Sequence, residues 1–503
     1  MTQFIESFFD SNTPNFKLWS KKVADAAIPD SEVLFKGPML KMSRKTNKLK
    51  ERLFVLTSKR LYYLKSAKVP KVRGSMDTEW VRCEYLMEEH ANERRFCIRF
   101  IKNLKYCDFW VEREEDFREW KARLSRVFIQ SDFHEKFNAI KMIGKGSFAR
   151  VYLVEDKITH NRFAVKAFSK EYLQSQSKGK DSLINEIQVM QRLEHQNIMH
   201  LQEVHESKNS IYLVLELLEG GELFNFISSK SSIAIHDVGR MMRHLLDALA
   251  YLADKRIMHR DLKPENMILK EKTDLSGSTL KLVDFGLSTL CDVPEYLFKR
   301  CGTPGYVAPE IINAPSNENV HYTPKCDVFS AGIIFYIMLV GHSPFDGKSF
   351  QEILKQNKLC KIDFKHPKLK KHPHCIELLQ KMLEIDPARR LSAREALDHA
   401  FFKAFGPALA IPEPKEQTIV ENIQEFREQT KRVPQPLPDG ASFVQREGLI
   451  NGEVNTVNDS NSDGGILSLK NMAKRMAATE ANSKRESIYK YVLVKENAER
   501  IVS

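Results

Sequence analysis

Two short runs constrain this chain more tightly than anything else in it: IMHRDLKPEN at 257–266 and LVDFGLS at 282–288. Three weaker features stand upstream of them in a fixed order: IGKGSFARV at 143–151, FAVKAF around Lys166, and SLINEIQVM around Glu186. Taken singly, each of the three has an ordinary reading. Gly144 and Gly146 fit a hairpin turn, although glycines also let backbone N–H groups approach phosphate with no Cβ in the way. A lysine on a strand is commonly a solvated edge charge, and a glutamate on a helix a surface ion-pair partner. The ordinary readings do not account for all five features in one order at compatible distances.

Bulk properties bound the answer. A chain of 503 residues is too long for one hydrophobic core, so two or three domains with linkers are expected. The net charge of +12 permits an anionic partner without naming one. The eight cysteines show no CxxC pair, which argues against a zinc ribbon or a disulfide framework and for reduced thiols of the cytoplasm. The start MTQFIESFFDSNT has neither a basic flank before a long apolar run nor a glycine at position two, so no secretory signal or myristoylation is expected. The most apolar stretch, VFSAGIIFYIMLVG at 328–341, is too short to cross a bilayer core of about 30 Å and reads as a buried helix. Any membrane contact is expected to be peripheral.

Composition shifts divide the chain. Residues 1–31 are mixed, and Phe4, Ile5, Phe8 and Phe9 fit either one turn of an amphipathic helix or a docking arm. From 32 to 112, short apolar and aromatic runs such as RLFVLT, RLYYLK, RFCIRF and CDFWVE alternate with charged turns, as antiparallel strands do. EREEDFREWKARLSRVF at 112–128 then sets Phe117, Trp120 and Leu124 at helical spacing. Residues 129–136 read as a linker, 137–402 as a larger domain that turns from strand-like to helical text after 181, and 403–503 as a largely disordered tail with little apolar surface to bury.

With HRDLKPEN and DFG in place, and VAPE at 307–310, Asp327 and Arg390 beyond them, residues 137–402 resemble the eukaryotic protein kinases. The resemblance implies a bilobal α+β fold, ATP and Mg²⁺ as cofactors, and roles set by phosphoryl-transfer chemistry. Ile143, Gly144, Lys145, Gly146 and Ser147 would cover the phosphates. Lys166, held by Glu186, would contact the α- and β-phosphates. Asp284 would ligate one magnesium and Asn266 a second, since hard cations prefer carboxylate and amide oxygens. Asp261 would accept the hydrogen bond of the substrate hydroxyl, and Lys263 would stabilise the γ-phosphate. Val151 and Ala164 would line the adenine pocket beside Leu215, with the backbone of Glu216 and Leu218 binding the base. Glu222 would reach the ribose or a basic substrate residue, or simply stabilise a helix start. Ala149 departs from the family by replacing the third glycine of the loop, which implies a stiffer turn.

KRCGTPGYVAPE and the helical text after it resemble the calcium/calmodulin-dependent group of serine/threonine kinases, which implies protein substrates with a basic residue three positions before the acceptor, read by Glu222 with Glu265 nearby. Lys299 stands where many relatives carry a phosphorylated threonine, so repulsion from Arg260 and independence from that phosphosite are expected, with Ser288, Thr289 or Tyr296 as substitutes. Thr303 is expected to contact Asp261, Glu310 to pair with Arg390, and Asp327 to brace the catalytic loop. In the tail, DSNSDGGILSLK at 459–470 resembles a calcium loop but ends on Lys470 where the bidentate glutamate belongs, so a polar linker is the better reading. VENIQEFREQTKRV and LSLKNMAKRM fit short autoinhibitory or calmodulin-binding helices by analogy with the group.

Residues 32–128 resemble a pleckstrin-homology domain, a small antiparallel β-barrel closed by a C-terminal helix. The turn around KGPMLKMSRKTNKLKERLF then offers Lys41, Lys50 and Arg52 to the phosphates of a phosphoinositide; a protein ligand, or none, is the competing reading. Nucleic acid is not expected, because no interleaved base-stacking aromatics or recognition helix accompany the charge. The whole reads as an ATP-dependent serine/threonine kinase recruited to membranes, or alternatively as a catalytically idle kinase-fold adaptor.

Overall fold

The computed structural model describes residues 7–403 apart from gaps at 11–15, 21–27, 29–31, 44–45, 47, 67–68, 91–92, 147–148, 230–232, 274–276, 315–321 and 371–372. Phe4, Ile5, Ser147, the calcium-like loop and both candidate tail helices lie outside the described residues. All eight cysteines are free. Among the described residues no helix is long and apolar enough to cross a membrane.

The front module is seven strands, β1 (Val33–Met42), β2 (Leu49–Thr57), β3 (Arg60–Ser66), β4 (Val69–Asp77), β5 (Arg82–His90), β6 (Glu93–Lys102) and β7 (Lys105–Val111), followed by helix α1 (Glu114–Leu124). They join antiparallel in the order β4-β3-β2-β1-β7-β6-β5. Phe54, Leu56, Phe100 and Phe109 from both halves share one core with Trp120, so the sheet must curl around a common interior. Strands β1 and β4 do not stand out as apolar runs in the sequence, because their text, VLFKGPMLKM and VPKVRGSMD, is rich in Lys, Gly and Pro. Helix α1 buries Phe117, Trp120 and Leu124, and Trp120 donates its indole N–H to Pro38 O at 3.2 Å while its ring meets Phe35 edge-on at 4.7 Å.

Residues 129–136, expected to be a linker, are part of the fold. Strand β8 (Ile129–Gln130) pairs in parallel with β5 on one side and β12 (Leu201–Glu206) on the other, and helix α2 (Phe133–Lys136) follows. The reason is apolar: Phe128, Ile129, Phe133 and Phe137 are buried, and Phe133 stacks on Tyr212 at 3.9 Å. One sheet of thirteen strands therefore runs from the barrel into the small lobe of the second domain.

That lobe consists of β9 (Phe137–Lys145), β10 (Ala149–Asp156), β11 (Arg162–Ser169), β12 and β13 (Ser210–Glu216), with helices α3 (Lys170–Ser175) and α4 (Gly179–Met190). In the large lobe, β14 (Gly221–Glu222), α5 (Leu223–Ser229) and α6 (Ile235–Asp254) precede β15 (Ile257–Met258), β16 (Met267–Leu269), β17 (Leu280–Leu282) and β18 (Thr289–Leu290), and α7 (Pro309–Ile312) precedes α8 (Lys325–Val340). Helix α8 is buried along nearly its whole length and ends on Gly341, whose φ of 93° suits a residue without a Cβ. It is a core helix, as its apolar text predicts.

Candidate active site and anion cleft

The side chains expected to form the active site come from different elements and meet between the lobes. Strands β9 and β10 form the glycine hairpin, where Gly146 N–H closes on Ala149 O at 2.8 Å. A Cβ at Gly144 would meet Val151 at 3.4 Å and one at Gly146 would meet Ala149 O at 3.5 Å, both ordinary contacts. The hairpin's own packing thus does not demand glycine, and the missing side chains leave its backbone open to close approach. On its other side β10 pairs with β11, where Ala149 lies opposite Phe168 and Val151 opposite Lys166.

Strand alternation brings Ala164 and Lys166 to one face of β11, and the Lys166 ammonium lies 2.7 Å from Glu186 Oε1 on α4 and 3.3 Å from Asp284 Oδ1. Burial alone would lower the lysine's pKa, but the carboxylates of Asp284 and Glu186 outweigh it and hold the ammonium charged. Lys166 in turn is the main cause that draws Asp284 down to about 2. Glu186 is pushed up by desolvation, against the pull of Lys166. Asp284 adopts φ 63° and Arg260 φ 66°, left-handed backbone outside glycine that must be held by its surroundings. For Arg260 the holders are visible: the N–H groups of His259 and Arg260 donate to Asp327 Oδ2 at 2.7 Å and Oδ1 at 2.8 Å.

Asp261 sits at the centre. Its Oδ1 accepts from Thr303 Oγ1 at 2.6 Å, and its Oδ2 lies 3.1 Å from Lys263 Nζ and 3.2 Å from Asn266 Nδ2. Asn266 Nδ2 also donates to Asp261 O at 2.8 Å, which leaves the amide oxygen as the free end of that side chain. A carboxylate at Asp284 and an amide oxygen at Asn266 suit a hard cation that takes its other ligands from water and phosphate. Among the described residues no three His, Cys, Asp or Glu side chains converge, so no all-protein metal cage competes.

The hinge strand β13 is fixed before it reaches Leu218. Glu216 N–H donates to His200 O at 3.2 Å, while its carboxylate is held by Lys281 Nζ at 2.7 Å and by His200 N–H at 2.7 Å. Leu215 is buried beside it. Glu222 leads into α5, and burial raises its carboxyl. Glu265 is raised by burial first, with Asp261 and Glu222 adding to it, and its Oε2 is buried with no hydrogen-bond partner.

The activation segment departs from two expectations. Repulsion between Lys299 and Arg260 does not arise, because Lys299 pairs with Glu295 at 2.9 Å while Arg260 donates to Leu287 O at 2.9 Å and Phe298 O at 2.7 Å. Ser288, Thr289 and Tyr296, expected as substitute phosphosites, are 0%, 4% and 4% exposed, so their hydroxyls are packed away from any second kinase. Glu310 and Arg390 form a bidentate pair at 2.6 and 2.9 Å, and the guanidinium also donates to the Glu384, Lys325 and Ile385 carbonyls.

In the front module Lys41 is the cross-strand partner of Lys50, and Arg52 lies two residues along, so the three share one face of the β1–β2 hairpin. They line an open cleft of about 1820 Å³. Lys41 Nζ stands 4.5 Å from the Trp19 ring and 4.4 Å from the Tyr63 ring, a cation–π cage. The cleft also holds Lys17, Lys65, Arg73 and Lys105, which a reading of the turn alone misses. Lys65 could have been found from its i+2 spacing to Tyr63; Lys17 and Lys105 come from distant text and carry no local signal.

Comparison with known proteins agrees with this geometry. The chain matches the protein kinase domain over residues 137–402 and the PH domain over 33–128. It is 36% identical over 324 residues to calcium-dependent protein kinase 4 of Plasmodium falciparum (isolate 3D7), covering 63% of this chain and 60% of that protein. It is 34% identical over 299 residues to myosin light chain kinase A of Dictyostelium discoideum, covering 58% of this chain and 95% of that protein. The relative calcium-dependent protein kinase 3 of Plasmodium yoelii yoelii is 35% identical over 286 residues, 56% of this chain and 50% of its own length. The chain belongs to the protein kinase domain family, with a PH domain ahead of the kinase domain.

Proposed function

We propose that this chain is an ATP- and Mg²⁺-dependent serine/threonine protein kinase that prefers basic sequences and is drawn to anionic membranes by its front module. The observation that carries the reading is that Lys166, Glu186, Asp261, Lys263, Asn266 and Asp284 all meet in one cleft, with Lys166 bridging Glu186 and Asp284 at 2.7 and 3.3 Å. An idle scaffold has no need of that arrangement. When bound, ATP supplies the γ-phosphoryl group and magnesium offsets charge on the phosphates. Lys166 orients the α- and β-phosphates, and Asp284 and Asn266 would hold the metal. Asp261 accepts the hydrogen bond of the incoming hydroxyl and aligns it, while Lys263 faces the charge that develops on the transferred group.

The unpaired, buried Glu265 Oε2 beside Glu222 supports a basic substrate, because a guanidinium entering there would relieve both carboxylates. The caged Lys41 among further cations supports an anionic ligand rich in phosphate. The test is a kinase assay on serine and threonine peptides that carry Arg or Ala three positions before the acceptor, with and without phosphoinositide vesicles and calcium–calmodulin. Phosphate transfer abolished by Asp261→Asn and favoured by Arg supports the proposal. Full transfer by Asp261→Asn sinks the catalytic reading, and no penalty for Ala sinks the basic preference.

A further inference from the structure

The segment Ser7–Asp10, SFFD, lies far from the kinase domain in sequence yet packs against it. Ser7 Oγ donates to Glu206 Oε2 and Phe8 N–H to Glu206 Oε1, both at 2.6 Å, and Glu206 is buried at the end of β12, where Lys170 of α3 also pairs with it at 2.7 Å. The same segment holds the barrel: Asn103 N–H in the β6–β7 turn donates to Asp10 Oδ1 at 2.7 Å, and Phe9 stacks on Trp80 in the β4–β5 turn at 4.8 Å with the rings 6° from parallel. Phe8 and Phe9 are 5% and 4% exposed and belong to the kinase core that includes Leu183 and Ile187 of α4.

Two contacts reach α4 itself. Lys180 Nζ stands 5.2 Å from the Phe8 ring, and Gln188 Nε2 donates to Glu79 Oε1 in the β4–β5 turn at 2.8 Å. On another part of the helix, Asn185 Nδ2 donates to Ser288 O of the activation segment at 2.6 Å. Helix α4 carries Glu186, and a shift of about 1 Å in the helix would break the pair with Lys166.

We propose that SFFD and the β4–β5 turn form a clip that positions Glu186 for Lys166, which makes Phe8, Phe9 and Glu79 positioning residues for phosphoryl transfer. The β4–β5 turn belongs to the front module and SFFD is anchored on it, so the front module becomes part of the support of the catalytic lobe. The inference rests on the kinase reading, and amide hydrogen exchange reads α4 without any turnover, so the two can fail separately.

The test uses the full chain. Phe9→Ala combined with Gln188→Ala is expected to speed amide exchange across 179–190 and to raise KM for ATP about tenfold, because the phosphate-orienting lysine loses its partner. Phe9→Tyr keeps the stack and should behave as the parent. Exchanging the hydrogen-bonding pair through Glu79→Gln with Gln188→Glu should restore what Gln188→Ala loses. Destabilisation alone would lower kcat through less active protein and leave KM for ATP unchanged; that result, or unchanged exchange across α4, overturns the proposal.

Discussion

Thr303 Oγ1 donates a 2.6 Å hydrogen bond to Asp261 Oδ1 across 42 residues of chain, and Lys263 takes the other carboxylate oxygen at 3.1 Å. The activation segment is thereby latched to Asp261, whose carboxylate is held at both oxygens. Thr303→Ala is expected to lower kcat by about 10- to 100-fold with the fold intact, and Thr303→Ser to keep most of the activity, as measured by steady-state peptide phosphorylation.

Arg390 is fully buried as a side chain and Glu310 partly so, and the guanidinium has carbonyl partners besides the carboxylate. Removing the arginine strands a partly buried carboxylate and three carbonyls. Arg390→Ala is therefore expected to cost about 3–5 kcal/mol, read from the shift in denaturant midpoint. Arg390→Met with Glu310→Leu should recover much of that loss, because the charge and its desolvation leave together.

His244 on α6 is buried, and its Nδ1 accepts from Leu280 N–H at 3.3 Å. Burial, with Arg240 next, pulls its pKa from the usual 6.5 to about 4. The folded state favours the neutral ring, so this contribution is complete above pH 6.5 and is lost as pH falls toward 4. The parent should lose roughly 3 kcal/mol more over that window than His244→Gln, which keeps an acceptor but does not titrate. Chemical denaturation at a series of pH values measures the difference.

Lys41, Lys50 and Arg52 share a face that opens into the cationic cleft. At about 1 kcal/mol for each cation near an anionic surface, replacing all three with Ala should weaken binding to phosphoinositide vesicles about 100-fold. Turnover of a soluble peptide in the absence of vesicles should not change, since none of the three touches the catalytic cleft. Vesicle sedimentation compared with neutral vesicles reads the first effect and a peptide assay the second.

Much of the candidate site was legible in the sequence because HRDLKPEN and DFG pack several chemical groups into a few residues of fixed spacing. Lys166 and Glu186 were readable only in that company, since a strand lysine and a helical glutamate are ordinary by themselves. Lys299 misled, because its place where relatives carry a phosphothreonine suggested a clash with Arg260, whereas backbone carbonyls at Leu287 and Phe298 give the guanidinium its partners. The secondary structure inside the 129–136 linker was not legible either. Two strand residues carry no pattern long enough to announce a strand, and the parallel partners at Arg82 and His205 are remote in the chain.

The sequence by itself determined the two domains, several of the side chains that meet between the lobes, and which helices bury an apolar face, because these follow from local periodicity and from side chains that lie close together in the chain. Only the tertiary structure decided that Phe9 stacks on Trp80, that Gln188 reaches Glu79, and that the barrel and small lobe share one sheet. Those contacts depend on surfaces brought together from distant text, where shape and unmet hydrogen-bonding groups select the partner and no local pattern encodes it.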